Sequence, residues 1–263
     1  MQNNIIILLF LLSFFCKAYA NEQFAFDVSK IEISENGNKI VGSNRGLITS
    51  DNGIIIEADE FEYSKKNNLL KVSGNVIVNN PLKKYQIFSN KISYLKNEDI
   101  ILAENKIKFI DNNERIINSN NFLYNVRKNI FEAKGNVKIL DLNKNLEINS
   151  EKIKYSKKDQ KIICYGSTDA KLDKIYEFKS SRKLTINILK DEVHALENVE
   201  FFDVLKNNRI VSDEIYFFRK KEEVITKGIT DAFINNKLIL NSKNISFFNQ
   251  SQIIQSKNKD GRS

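Results

Sequence analysis

Few residues in the sequence have the type and spacing that catalysis requires. The one histidine, His194, lies between the apolar residues Val193 and Ala195, so alternation predicts that it faces solvent and is not a general base. Asp59 and Glu60 are adjacent carboxylates, but related stretches further along carry asparagine and lysine there. A solvated corner explains this pair better than acid–base chemistry does. The sequence predicts no catalytic residue and no enzyme.

The thiols and the metal-ligand types lead to the same conclusion. Cys164 holds a position that other copies of the pattern fill with small apolar residues, so we predict a buried thiol and not a nucleophile. The other cysteine, Cys16, lies in a segment predicted to be removed, which leaves no partner for a disulfide. No Cys/His cluster has metal-ligand spacing, and no phosphate-binding glycine loop is present. We therefore predict neither a metal nor a cofactor.

An internal repeat of about 31 residues organises the chain. Its clearest copy, Ile54 to Val78, has two apolar runs joined by a polar turn. A central aromatic recurs at steps of 31, 30, 31, 30, 32 and 30 residues, and a glycine at steps of 31, 30, 31, 31 and 31. Two markers that keep one period indicate a repeat architecture. The first marker is assigned to Tyr63, Tyr94, Tyr124, Tyr155, Thr185, Phe217 and Phe247, and the second to Gly74, Asn105, Gly135, Gly166, Glu197 and Gly228.

Each half of the repeat reads as a strand. The first half alternates up to a small residue, as at Tyr85, Ile87 and Ser89, and then takes a three-residue step to Ile92. One extra residue turns the side chains over, which is what a β-bulge does. The second half alternates without a break, and its glycine is expected among the inward positions. We predict bends near Ser89, Ser119, Ser150, Ser212 and Ser242.

Two polar turns in every repeat favour antiparallel hairpins. The predicted fold is all-β: an antiparallel meander of about 14–16 strands, built from the 31-residue repeats and folded into a bent jellyroll or "β-taco" sandwich. We assign residues 51–250 to this repeat domain and expect irregular, short strands over 21–50. Residues 251–263 are assigned to a polar tail.

The N-terminus has the pattern of a secretory signal peptide over residues 1–20. The apolar run Ile5 to Phe15 has 11 residues, too few to span a membrane, and Ala18 to Ala20 form an A-x-A cleavage site. A lipidated Cys16 is disfavoured because the residues before it, Ser13 to Phe15, include no small residue at the required place. The mature chain is therefore predicted to be exported and soluble.

The basic charge, +8 for the full chain, has three interpretations. Nucleic acid binding is disfavoured for an exported chain that lacks an aromatic and basic platform. A solvated basic surface is the simplest interpretation. The third is contact with phosphorylated amphiphiles, whose head groups would meet Lys and Arg at the mouth of an apolar groove.

A recurring pattern resembles a known family. The segments Ile56 to Tyr63 and Val72 to Val76, with the second copy Ser119 to Tyr124 and Ala133 to Val137, resemble the OstA-like domain of periplasmic lipopolysaccharide-transport proteins. The resemblance covers roughly residues 50–250. The sequence departs from the pattern at Lys183, where an apolar residue is expected, and at Asn105 and Glu197, where glycine is expected.

The resemblance implies a β-jellyroll whose apolar groove shields the acyl chains of lipopolysaccharide in the periplasm. It also implies partners: lipopolysaccharide, other OstA-like domains joined by edge-strand addition, and further copies of the chain in a head-to-tail homo-oligomer that bridges the inner and outer membranes. A larger relative carries the same domain ahead of an outer-membrane barrel. Whether this chain is the bridge protein or such an N-terminal domain stays open.

An inward apolar strip predicts the lining of this groove. The expected lining residues are Tyr63, Val72, Val76, Tyr94, Ile107, Tyr124, Ala133, Val137, Ile153 and Tyr155. The tyrosines are expected across from the others, and the alternative is that the same side chains fill a closed core with no ligand. Two other classes of protein also remain: a parallel β-helix enzyme acting on polysaccharide, and a structural or adhesive repeat protein.

Overall fold

The computed structural model describes residues 23–112, 114–235, 237–251 and 253–256. In this part of the chain the strand pairings are antiparallel and join strands that are close in the sequence. The predicted signal peptide, residues 1–20, lies outside the described residues, as do residues 257–263 of the predicted tail.

The strands run in chain order through one continuous sheet. They are β1 Phe24–Ser34, β2 Lys39–Ser50, β3 Ile55–Ala58, β4 Glu60–Ser64, β5 Leu69–Asn80, β6 Tyr85–Leu95, β7 Ile100–Asp111, β8 Arg115–Asn125, β9 Ile130–Asp141, β10 Leu146–Ser156, β11 Lys161–Leu172, β12 Tyr176–Ser180, β13 Lys183–Asn187, β14 Glu192–Asp203, β15 Asn208–Phe218, β16 Glu223–Ile234, β17 Lys237–Lys243, β18 Ile245–Phe248 and β19 Ile253–Ser256. Short 3-10 turns at Glu35–Gly37 and Arg219–Lys221 are the helical elements of the described residues.

The predicted all-β antiparallel meander is confirmed. Three strand pairs, β3/β4, β12/β13 and β17/β18, are halves of one strand, because both halves pair with the same neighbour. Counting each such pair once gives 16 strands, within the predicted 14–16. A parallel β-helix is excluded, since the described pairings are antiparallel.

The long strands bend near their middle, where the pairing register slips. Between β5 and β6, two residues of β5, Gly74 and Asn75, face the single residue Asn90 of β6. The predicted bends near Ser89, Ser119, Ser150 and Ser212 coincide with such slips, and near Ser242 the strand is interrupted at Asn244. A row of bulges at equivalent positions folds the sheet along a line, which we call the corner.

The corner serines recur because their hydroxyls donate hydrogen bonds to backbone carbonyls at the bulge, where the strand ladder is interrupted. Ser150 Oγ donates to Tyr165 O at 3.3 Å or Lys152 O at 3.2 Å, and Ser180 Oγ donates to Leu196 O at 2.7 Å. Ser150 is 8% exposed. A buried carbonyl without a donor is costly, so a small hydroxyl residue is favoured at this position.

The alternation suggested that the glycines of the corner lie at inward positions. In the structure they do not. Gly74 and Gly135 have φ of +76° and +80°, a left-handed conformation that side chains rarely adopt. A Cβ on Gly135 would point at the outer corner residue, 3.0 Å from Asn120 Nδ2. The glycine is therefore required by backbone conformation and by a close approach on the outside of the sheet.

The same left-handed conformation persists where glycine is missing. Asn105 and Glu197, the predicted departures from the family pattern, have φ of +66° and +69°. Asn44 repeats it at +68°, one period before Gly74. Residues 24–50 thus form a further regular copy with two long strands, β1 and β2, and the expected irregular short strands are not observed.

The fifth copy contains one extra residue at its corner, and this corrects one marker. The inward residues after Ser180 are Leu184 and Ile186, and Ile186 pairs with Ile162, which also pairs with Tyr155. Ile186 is therefore the equivalent of the central aromatic, and the assignment of Thr185 is wrong. Leu184 also fills the apolar place at which Lys183 seemed anomalous.

The corner divides each strand between two facing layers. The tyrosine layer carries Tyr63 and its equivalents, and the facing layer carries the strand halves on the other side of the corner. Their inward side chains form one apolar cluster that runs through the described chain from Phe24 to Phe247. Within the described residues there is no helix of the length and apolarity that a membrane crossing needs.

Candidate functional site

The ten predicted lining residues all point into the interior between the layers. Each of them is at most 5% exposed. Val76, Ile107 and Val137 belong to the facing layer, across from the tyrosines. Val72, Ala133 and Ile153 lie instead in the tyrosine layer, close to the corner, because they pair on the tyrosine side of the register slip.

The interior is filled by aromatic side chains that meet from both layers. Phe109 of the facing layer lies 4.8 Å from Phe131 and 5.0 Å from Phe122 of the tyrosine layer, measured between ring centroids. Tyr85 meets Tyr124 edge-on at 5.0 Å. Such pairs contribute roughly 0.5–1.5 kcal/mol each beyond their buried area. The side chains expected to line a groove are thus packed together in this structure.

The tyrosines point their hydroxyls at the edge of their own layer. Tyr63 donates to Asn68 and Tyr124 to Asn129, both at 3.0 Å, and Tyr94 donates to Asp99 at 3.1 Å. The acceptor is the last residue of the turn that follows each tyrosine. Burial raises the pKa of the Tyr94 and Tyr124 hydroxyls, so these groups stay protonated donors.

Turns from the two layers form two opposing lips of the folded sheet. The tyrosine lip includes the turns at 65–68, 96–99, 126–129, 157–160, 188–191 and 219–222. The facing lip includes those at 51–53, 81–84, 142–145, 173–175 and 204–207, together with the strand end at Asp111. We call the line between these two lips the mouth, because it is the side of the sandwich opposite the corner.

Side chains join the lips across the mouth. Lys157 Nζ lies 2.6 Å from Asp111 Oδ1, Arg219 Nη1 lies 2.6 Å from Asp173 Oδ2, and Lys96 pairs with Asp51. Two further lysines donate to backbone carbonyls of the opposite lip at 2.9 Å: Lys83 to Val126, and Lys206 to Asn249, which directly follows β18 and extends the tyrosine lip. We call these five the mouth contacts.

A buried ion pair supports the middle of the facing lip. Arg115 and Asp141 are 7% and 2% exposed, and Arg115 Nε donates to Asp141 Oδ2 at 2.9 Å. The guanidinium carbon also lies 4.3 Å from the centroid of the Tyr155 ring in the other layer. Removing one partner of such a pair leaves a buried charge, so this cluster fixes the lip beside the Lys157 contact.

The residues considered for catalysis have structural roles. His194 is stacked on Tyr216 on the outer face and contacts Glu214 Oε1 at 2.8 Å. Burial alone would raise the pKa of Glu214, but hydrogen bonds from Tyr216, His194 and Lys227 lower it below the usual value. Burial raises the pKa of the Cys164 thiol to about 12, which makes it a poor nucleophile. No metal-binding group of His, Cys, Asp and Glu occurs among the described residues.

Sequence reasoning did not find the mouth contacts. A partial signal exists in the turns, where Asn80, Asp141 and Asp203 accept the backbone N–H of a lysine three residues later. This spacing marks a turn that presents lysine. The partner across the mouth lies 43 to 46 residues away, about one and a half repeats, and no local pattern reveals it.

Comparison with known proteins finds a family similar to part of the chain. Residues 47–173 match the model of a family described as "Lipopolysaccharide-assembly, LptC-related". This segment, just under half of the chain, is similar to the LptC-related, OstA-like proteins. The resemblance found in the sequence is therefore confirmed. Since proteins of this family are transport proteins, the prediction that the chain is not an enzyme is also confirmed.

Among solved structures, a similar chain is LptH of Pseudomonas aeruginosa, described as the LptA-homologous periplasmic component of its lipopolysaccharide transport device. The match has 14% identity and covers 54% of this chain and 81% of that chain, with a TM-score of 0.24. A score this low supports no inference about the geometry of the site. No curated protein matches the chain.

Proposed function

We propose that the protein holds the acyl chains of lipopolysaccharide between its two layers, as part of a bridge that carries this lipid through the periplasm. The proposal is supported by the form of the interior and of its mouth. A continuous apolar interior runs the length of the segment similar to the LptC-related family, and side-chain contacts close its mouth between the lips. The backbone hydrogen bonds described at the turns connect neighbouring strands and not the two lips.

Opening of the mouth would exchange aromatic contacts for contacts with lipid. An acyl chain supplies about 0.8 kcal/mol for each methylene removed from water, or roughly 8 kcal/mol for ten of them. The aromatic pairs across the layers contribute less each, so a chain can displace several of them. The inward residues near the corner are small, which limits the side-chain volume that such a chain would have to displace: Ala103, Ala133, Cys164 and Ala195.

The cations of the mouth can bind the phosphorylated head group of the same lipid. Lys96, Lys157 and Arg219 lie at the border between the apolar interior and water. Ammonium and guanidinium groups bind phosphate through charge-assisted hydrogen bonds. A phosphorylated amphiphile would thus have its chains between the layers and its head group at the lips.

The proposal includes neighbours at both ends of the sheet. In the described residues β1 pairs with β2 and β19 pairs with β18, which leaves one backbone edge of each terminal strand without a partner strand. Such edges are templates for strand addition by another OstA-like domain or a second copy. A periplasmic location follows from the predicted signal peptide.

Photo-crosslinking in cells tests the lipid. A photoreactive residue at Val76 or Val137, each 1% exposed, should capture lipopolysaccharide. The same residue at Asn75 or Asn136, the exposed neighbours at the corner, is the matched control and should not. Equal labelling from both faces, or none from the inward pair in folded protein, would show that the interior is only a core.

A further inference from the structure

We propose that the mouth is a lateral gate held shut by charge. The mouth contacts keep the two lips together over the apolar interior in the lipid-free protein, and they part to admit an anionic amphiphile from the side. The inference rests on the proposed function for the identity of what enters. The closing of the lips themselves is a property of the empty protein and is testable without any lipid.

The regular spacing of the mouth contacts is the first argument. Their partners are separated by 45, 43, 46, 46 and 43 residues along the chain. Each contact therefore joins a turn of one lip to the turn of the other lip that lies one and a half repeats away. A lysine or arginine is the donor in all five. The contacts recur with the repeat and so extend along the mouth from Asp51 to Asn249.

The burial of the cations is the second argument. In three ion pairs between neighbouring strands of one layer the side chains of Lys171, Lys154 and Arg209 are 54%, 43% and 42% exposed, and in a fourth that of Lys39 is 34% exposed. Three of the mouth cations have side chains that are less exposed and lie over the apolar interior. The side chain of Lys96 is 9% exposed, and those of Lys157 and Arg219 are 24% and 31% exposed. Their stems therefore shield apolar surface that would otherwise meet water.

The lips depend on these side chains. Neighbouring strands are held by ladders of backbone hydrogen bonds, as between β9 and β10. Across the mouth the described contacts all involve side chains: ion pairs, lysine-to-carbonyl bonds and amide hydrogen bonds such as that from Asn52 Nδ2 to the Tyr94 hydroxyl at 2.8 Å. Such contacts can break without loss of the sheet, because the corner continues to join the two layers.

An entering head group can replace the carboxylate partners. A phosphate that approaches the mouth offers Lys157 and Arg219 acceptors equivalent to those of Asp111 and Asp173. Exchange of partner frees the lip without leaving a cation unpaired. The acyl chains then reach the interior beside the tyrosines. No covalent bond changes in this step.

Spin-label distances across the mouth test the gate in lipid-free mature protein. Labels at Leu82→Cys and Lys128→Cys, both exposed and on opposite lips, report the separation. The gate variant combines Lys96→Gln, Lys157→Gln and Arg219→Gln. The matched control combines Lys154→Gln, Lys171→Gln and Arg209→Gln, which removes the same charge from pairs within one layer.

The gate variant should show a longer and broader distance distribution, and the control should keep that of the parent. The same distances in both variants, or equal widening in both, would overturn the gate. If the gate variant does not fold, the label distance can be measured instead in the parent protein at increasing salt concentration. About 1 M salt reduces the screening length to roughly 3 Å, so the label distance should increase with salt. A distance that does not change with salt counts against the gate.

A cleavable cross-link between the lips separates the gate from the lipid proposal. The substitutions Asp51→Cys and Lys96→Cys, joined by a cleavable bis-maleimide, should block loading of purified lipopolysaccharide, and cleavage should restore it. Loading that the cross-link does not affect would refute the gate and leave the lipid proposal standing. Widened lips in the gate variant, with no loading in any state, would refute the lipid proposal and leave the gate standing.

Discussion

At the scale of single residues, the corner shows how a backbone conformation selects its side chain. Gly74, Gly135, Gly166 and Gly228 occupy the left-handed region, and Glu197 is held in the same conformation. A side chain in this region costs about 1–2 kcal/mol, and glycine avoids the penalty. Glu197 is thus a position at which the fold carries local strain.

Replacing Glu197 by glycine should relieve this strain. We expect Glu197→Gly to raise the free energy of unfolding by about 1 kcal/mol, measured by urea denaturation of the mature protein. The matched control is Glu192→Gly in the same strand, where φ is not positive and glycine should lower stability by roughly 0.5–1 kcal/mol. A loss of stability in Glu197→Gly would contradict the account of the corner.

At the scale of elements, the corner depends on hydrogen bonds that the strands do not supply. Each bulge interrupts a ladder, and the buried serine hydroxyls replace part of it. Ser150 also contacts Thr168 Oγ1 at 3.0 Å, so its hydroxyl connects β10 to β11 on both sides of the slip. The strands bend at the serine positions because the serine hydroxyls supply hydrogen bonds there that replace the interrupted ladder.

Truncation of a corner serine should therefore weaken two strands at once. We expect Ser150→Ala to lower the free energy of unfolding by about 1–3 kcal/mol, since buried carbonyls lose a donor. Hydrogen exchange should increase for amides of β10 and β11 near the corner. Ser93→Ala, an outward residue of β6, is the control and should change stability by less than about 0.5 kcal/mol. Equal effects in both variants would argue against the hydroxyl's role.

At the scale of the whole molecule, the ends of the sheet determine assembly. β1 is a long edge strand, and its residues Ile31 and Ile33, which pair with the inward positions Gly42 and Ile40, are 45% and 64% exposed. Contacts between unlike ends do not close into a ring unless the rotation permits it, so a head-to-tail series is expected. Charge on an edge strand opposes such addition.

Sedimentation of the mature protein should thus show species that grow with concentration. The double variant Ile31→Lys, Ile33→Lys should remain monomeric over the same range. The control Leu82→Lys, Leu142→Lys adds the same charge to exposed turn tips away from both edges and should still assemble. Assembly that survives the edge variant, or a parent that is monomeric at high concentration, would contradict end-to-end addition.

Local periodicity in the sequence predicts the repeat, the antiparallel meander and most of the inward residues. These features follow from local periodicity: alternation separates inward from outward positions, and the corner interrupts it at a fixed place in every copy. Tyr63, Tyr94, Tyr124 and Tyr155 could be assigned to the interior on this basis, and all four are buried. The family resemblance followed from the same regular pattern.

Tertiary structure decided the features that depend on distance or on backbone conformation. The extra residue in the fifth copy made Thr185 look equivalent to the tyrosines, and only strand pairing identifies Ile186. The direction of the glycines depended on a left-handed φ, which alternation does not encode. The mouth contacts required the twist of two layers to bring Lys157 to Asp111, 46 residues away. Periodicity specifies which face of the sheet a residue occupies, but the curvature of the sheet specifies which residues of the other layer it contacts.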